Sequence, residues 1–240
     1  MTRIRAVTGR ELRAYFNSPI AYVFLLAFAG ASLFTFFNVG GFFSRGRADL
    51  RSLFDSVPFL MVLLVPALTM RLWAEERKQG TMEVLLTLPA RDHELVLGKF
   101  LASWALLATG LGLTLVLPLT VASLGDLDPG PVIGGYFGAL LLGAGYLAIG
   151  QFLSATTENQ ILAFILALAV CLGLFGIGMD TFAGLFPDRT AAVLRSVGTG
   201  SRFESIARGV IDLRDLVYYL SLTGFFLVAS VGALRARRCA

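Results

Sequence analysis

The side chains that could do chemistry are concentrated between Arg71 and Lys99. The run RLWAEERKQGTMEVLLTLPARDHELVLGK holds five cations (Arg71, Arg77, Lys78, Arg91, Lys99), five acids (Glu75, Glu76, Glu83, Asp92, Glu94) and the one histidine, His93. No H-E-x-x-H or C-x-x-C spacing accompanies them, and a single histidine cannot build a histidine-rich metal site. His93 reads as a solvated or capping residue. No G-x-x-x-x-G-K-[ST] phosphate cradle and no G-x-S-x-G elbow occur, so the chain carries neither a P-loop ATPase nor an α/β-hydrolase nucleophile. What the cassette offers is charge outside a membrane. Ten charges in hydrocarbon, at roughly 2.5–3.5 kcal/mol each, would cost on the order of 25 kcal/mol or more.

The elements around the cassette are spans. The 240 residues are 56% hydrophobic and 15% charged, against roughly 25% charged in a soluble domain. Their mean hydropathy is +0.76. The fold class is therefore all-α and polytopic. Six segments are long and apolar enough to cross a bilayer, about 19–42, 57–73, 100–124, 131–155, 160–179 and 217–234. They leave one transmembrane domain over 1–240, with no room for a soluble catalytic unit. The first apolar stretch is too long for a cleavable signal and is retained. Two cysteines make no disulfide framework: Cys171 packs inside the fifth span and Cys239 is a free thiol.

Counting Lys and Arg orients the chain. Alternation puts twelve on the side of the termini and the cassette and eight on the other, which favours cytoplasmic termini. The excess of basic residues then serves anionic membrane lipids and not nucleic acid.

Residues 2–16 interleave Arg3, Arg10 and Arg13 with Ile4, Val7, Leu12 and Phe16, which suits either an interfacial helix over 1–18 or a solvated tail. Trp73 to Gln79 extends the second span, Gly80 ends it, and Thr81 caps a short helix over 82–88 that Pro89 stops. Asp92 caps the next helix. A mostly apolar helix between charged flanks wants a protein groove, the alternative being a helix folded back on the membrane. Gly134, Gly138 and Gly143 form a small-residue stripe for close helix packing within the chain or at a dimer seam. Thr157-Glu158-Asn159-Gln160 has the pattern of a capping box for the fifth span. The 180–216 segment reads as one or two external amphipathic helices, with Phe182 and Phe186 dipping toward the membrane. Phe182, Phe186, Phe203 and Arg208 are candidates for an external gate.

Gly80-Thr81-Met82-Glu83 with Leu85-Leu86-Thr87-Leu88-Pro89, after Glu75-Glu76-Arg77-Lys78, resembles the signature of type-2 ABC exporter permeases; Leu97-Gly98-Lys99-Phe100 extends the match. Phe16–Val23, Thr69–Glu76, Thr157–Gln160 and Ala207–Asp212 resemble the gliding-motility-associated, GldF-like branch. The resemblance implies a cytoplasmic coupling region over 74–99 that docks in a separate ATPase. Its contacts would be Glu75, Glu76, Arg77, Lys78, Gly80, Thr81, Met82, Glu83, Leu85, Leu86 and Pro89. It also implies two ATPase copies binding ATP and Mg, a second permease chain (identical or different), and a GldG-type accessory protein. The location implied is a bacterial inner membrane. The chain itself would hold no cofactor and no catalytic site. The expected function is an exporter permease driven by that ATPase. The alternative is a membrane scaffold that transmits force without moving solute. A membrane-embedded enzyme lacks the paired acids or nucleophile–base set it needs.

Overall fold

In lipid a backbone must bond to itself, so apolar runs of about twenty residues close into helices. The computed structural model describes residues 2–45, 49–80, 91–210 and 212–238, and among these there are helices and no strands. The short helix expected over 82–88 lies outside the described residues, and with it Thr81, Met82, Glu83, Leu85, Leu86 and Pro89.

The elements are α1 (Thr2–Asn17), α2 (Pro19–Phe34), α3 (Phe42–Arg45), α4 (Arg51–Thr69), α5 (Ala74–Lys78), α6 (Asp92–Leu113), α7 (Val116–Leu124), α8 (Pro129–Thr156), α9 (Gln160–Ile177), α10 (Asp180–Ala183), α11 (Asp188–Val197), α12 (Thr199–Ala207) and α13 (Leu213–Arg238). Among the described residues six helical stretches are long and apolar enough to cross a membrane: Pro19–Val39, Arg51–Lys78, Asp92–Leu124, Pro129–Thr156, Gln160–Ile177 and Leu213–Ala236. They coincide with the six expected segments, with shifted ends. The second starts at Arg51 instead of about 57, because Ser56 buries its polarity by sharing a 3.1 Å hydrogen bond with Thr35. The first closes in a π-helical turn, Thr35–Val39, with the Gly40 N–H donating to Thr35 O at 2.7 Å.

Helix starts follow local capping, and two differ from expectation. Ser18 caps α2 ahead of Pro19 at the first helical position, as its sequence suggests. The cap of α6 is Arg91, not Asp92: the Glu94 carboxylate reaches back to accept from the Arg91 N–H at 2.9 Å. The cap of α9 is Asn159, whose Oδ1 accepts from the Ile161 N–H at 2.9 Å. Thr157 instead donates to Leu153 O, so the expected capping box does not form there.

Helix α8 is the hub. It packs against α4, α6, α9, α12 and α13. Its glycines make this possible by removing side chains where neighbours press in: Phe54 over Gly135, Leu107 over Gly143 and Thr69 over Gly150. Trp104 Nε1 donates to Leu140 O at 3.2 Å, and the hydroxyls of Thr114 and Tyr136 meet at 3.0 Å, which ties α6 to the same helix.

Among its described residues, the segment between the fifth and sixth spans holds three short helices, where one or two were expected. The last of them, α12, is not a surface helix. Phe203 and Ile206 are buried in the bundle.

Candidate functional site

The cassette's described portion begins where α4 ends. After Thr69 the chain makes a turn, and Trp73, at φ −127°, breaks the helix before α5 resumes at Ala74. Such a break exposes backbone groups that need partners. One side chain from α8 supplies them. The Ser154 hydroxyl accepts from the N–H groups of Trp73 and Ala74 at 3.1 and 3.2 Å and donates to Met70 O at 3.0 Å. Trp73 itself is fully buried, next to Leu72, Leu95, Val96 and Ala155.

Beside this junction lies Lys99, only 2% exposed. A buried ammonium is tolerated only when paired. Lys99 Nζ donates to Glu76 Oε1 of α5 at 2.8 Å and to Glu11 Oε2 of α1 at 3.3 Å, and lies 4.9 Å from the centre of the Trp73 ring. One charge thus joins α1, α5 and α6. Arg77 donates to Ala155 O and Thr157 O, the carbonyls at the end of α8, and Gln151 Nε2 donates to Val96 O at 2.9 Å. Arg235 of α13 reaches Asp92 at 3.6 Å. Four helices and the α5 segment are therefore cross-linked by polar contacts at one end of the bundle.

The four flanking charges of the motif part ways here. Glu76 and Arg77 bond within the chain. Glu75 forms a 3.8 Å pair with Arg71 and accepts from Gln79 at 3.2 Å, and Lys78 is exposed. Gly80 ends the segment at φ +67°, a left-handed conformation open to glycine, with its N–H on Arg77 O at 3.0 Å. Beside the knot, burial and then the Glu11 charge hold the Tyr15 hydroxyl well above the usual tyrosine range, so it stays protonated.

The opposite end is organised by α12. Gly134 and Gly138 of α8 face it: a Cβ on Gly134 would strike Ile206 O, and one on Gly138 would lie 3.1 Å from Ile206 Cγ2. Together with Gly143 under Leu107, all three stripe glycines are used within the chain, and Gly134 and Gly138 seat α12 in place of a second copy. Thr199 anchors the start of α12, its hydroxyl 2.8 Å from Tyr146 OH and its carbonyl accepting from Tyr219 OH at 2.8 Å. Arg202 donates to Asp215 at 2.8 Å and twice to Ser196 O, with its guanidinium 4.4 Å over the Tyr218 ring.

A cavity of about 370 Å³ opens between α12 and the α4 and α8 starts, lined by Asp49, Asp55, Asp128, Glu204, Arg51 and Arg208 among others. Phe203 lines an adjoining cavity of about 320 Å³. Of the gate candidates, Phe203 and Arg208 therefore border open volume. Phe182 and Phe186 meet in a tilted pair, ring centres 5.6 Å apart, and line neither cavity. Sequence reasoning missed Lys99, Glu11 and Ser154 as contact residues. A faint signal existed for the first two: Glu11 is the one acid of α1, and Lys99 is the last charge before a long apolar run.

The sequence matches the ABC-2 family transporter protein description over residues 50–197, well over half the chain. That stretch runs from α4 through α11 and includes the cassette. No curated protein matches the chain. Six membrane-length helices among the described residues and the family match agree: the chain belongs to the ABC-2 family of transporter membrane proteins.

Proposed function

We propose that the chain is the permease subunit of an ATP-binding-cassette exporter, driven through residues 74–99 by a separate ATPase. Family membership implies such an ATPase partner. The observation that carries the coupling is the bolting of α5. A push on the chain beyond Gly80 meets a helix held by Ser154 and Arg77 to α8 and by Glu76 and Lys99 to α1 and α6. A rigid body of this kind transmits displacement without absorbing it. Two ATPase copies with ATP and Mg, a second permease chain and both termini in the cytoplasm of a bacterium complete the proposal. The GldF-like branch, with a GldG-type accessory protein, rests on Phe16–Val23, Thr69–Glu76, Thr157–Gln160 and Ala207–Asp212.

Reconstitution with the cognate ATPase tests it. Leu85→Asp and Glu83→Lys are expected to abolish complex formation and substrate-dependent ATP turnover. Unchanged assembly and turnover in both variants would overturn the coupling assignment. A force-transmitting scaffold would use the same lever, and is distinguished by ATP turnover that no substrate stimulates in liposomes.

A further inference from the structure

Two cavities meet at Arg71. One, of about 270 Å³, is an apolar slot between α2 and α4 lined by Val23, Phe24, Ala27, Leu64 and Ala67. The other, of about 320 Å³, lies between α1 and the α4–α5 junction and includes Glu11, Tyr15, Glu75, Glu76 and Lys99 in its wall. Ile20, Leu68 and Arg71 belong to both. An apolar slot at the depth of two membrane-length helices thus opens at one end into a polar chamber, with Val23, 64% exposed, on its rim.

The polar groups of the chamber divide into satisfied and unsatisfied. Lys99 is taken by Glu11 and Glu76. Arg71 is not: its contact with Glu75 is 3.8 Å, it donates no hydrogen bond among the described residues, and its Nε is buried without a partner. The Tyr15 hydroxyl, also buried in this wall, has no hydrogen-bond partner either. A guanidinium at the mouth of an apolar slot is matched to a phosphodiester, which it can hold by two parallel hydrogen bonds. The chamber's net charge narrows the choice further. Two cations stand against three carboxylates, so a purely anionic headgroup meets repulsion and one carrying a primary ammonium does not.

We propose that this slot and chamber bind one phospholipid of the phosphatidylethanolamine class. Its phosphate lies on Arg71, its ammonium faces Glu75, and an acyl chain runs along the slot between α2 and α4. The inference is independent of coupling to an ATPase.

The test is lipid analysis by native mass spectrometry of the full chain, extracted in mild detergent from membranes holding both phosphatidylethanolamine and phosphatidylglycerol. One phosphatidylethanolamine per chain is expected to be retained. Arg71→Gln removes the phosphate fork and Val23→Trp closes the rim, and each is expected to lower retention about tenfold. Ala67→Trp fills the slot from its floor and replaces Val23→Trp should that variant fail to fold. Arg71→Lys, which keeps charge but not the fork, is expected to fall between. Retention unchanged by both kinds of variant would overturn the proposal. So would retention of the two lipids in their membrane ratio, or binding of inorganic phosphate alone by lipid-stripped protein. Spontaneous cross-linking of Val23→Cys to another copy, with no lipid held, would identify the slot as a seam between chains and overturn it equally.

Discussion

Lys99 and Glu76 lie 2.8 Å apart across 23 residues of sequence, in a pocket that leaves the Lys99 side chain 3% exposed. The pair fastens α5 to the start of the third span. Glu11 completes it from the far side. Breaking a buried pair strands the remaining charge, which costs more than the pair's net contribution.

Lys99→Met leaves two carboxylates facing each other without their cation. It is expected to destabilise the purified chain by about 3 kcal/mol, read as an earlier thermal transition in detergent. Adding Glu76→Gln and Glu11→Gln removes the stranded charges and should restore most of that loss. A triple variant no more stable than the single one would show that Lys99 acts through packing alone.

Ser154→Ala deletes the one hydroxyl that serves Trp73 N–H, Ala74 N–H and Met70 O. Leaving buried backbone groups unpaired is expected to cost about 1–3 kcal/mol. Hydrogen exchange should accelerate at Trp73 and Ala74 while the α2 and α13 amides stay unchanged. Ser154→Thr keeps the hydroxyl and should be milder.

Gly134→Ala and Gly138→Ala differ in what they strike. A methyl at Gly134 meets backbone, Ile206 O, whereas at Gly138 it meets the movable Ile206 Cγ2. The first is expected to destabilise by about 2 kcal/mol and the second by less than half of that. Limited proteolysis between α12 and α13 should report the loosened seat. Equal cleavage in both variants would mean α12 is held elsewhere.

Arg202→Lys is expected to behave nearly as Arg202→Ala. A lysine cannot donate at once to Asp215 and Ser196 O while lying flat on the Tyr218 ring. A loss of about 1–2 kcal/mol, measured by thermal melting, is expected for both. Full stability of the lysine variant would reduce the contact to a simple charge pair.

The six spans were legible because hydropathy over about twenty residues is a local quantity, and no packing changes it. The breaks at Pro19 and Gly80 were legible for the same reason: φ preferences belong to single residues. Helix caps were half legible. Glu94 and Asn159 do cap, but which backbone N–H each accepts depended on how the chain entered the helix. The span start at Arg51 was hidden because Ser52, Asp55 and Ser56 look like loop until Thr35 is known to stand opposite Ser56. The seat for α12 lay open between two readings, since a small-residue stripe advertises close approach without naming the approaching helix. The knot was invisible. Glu11 and Lys99 are 88 residues apart, and only the packing of α1 against α6 brings their charges into one largely buried pocket.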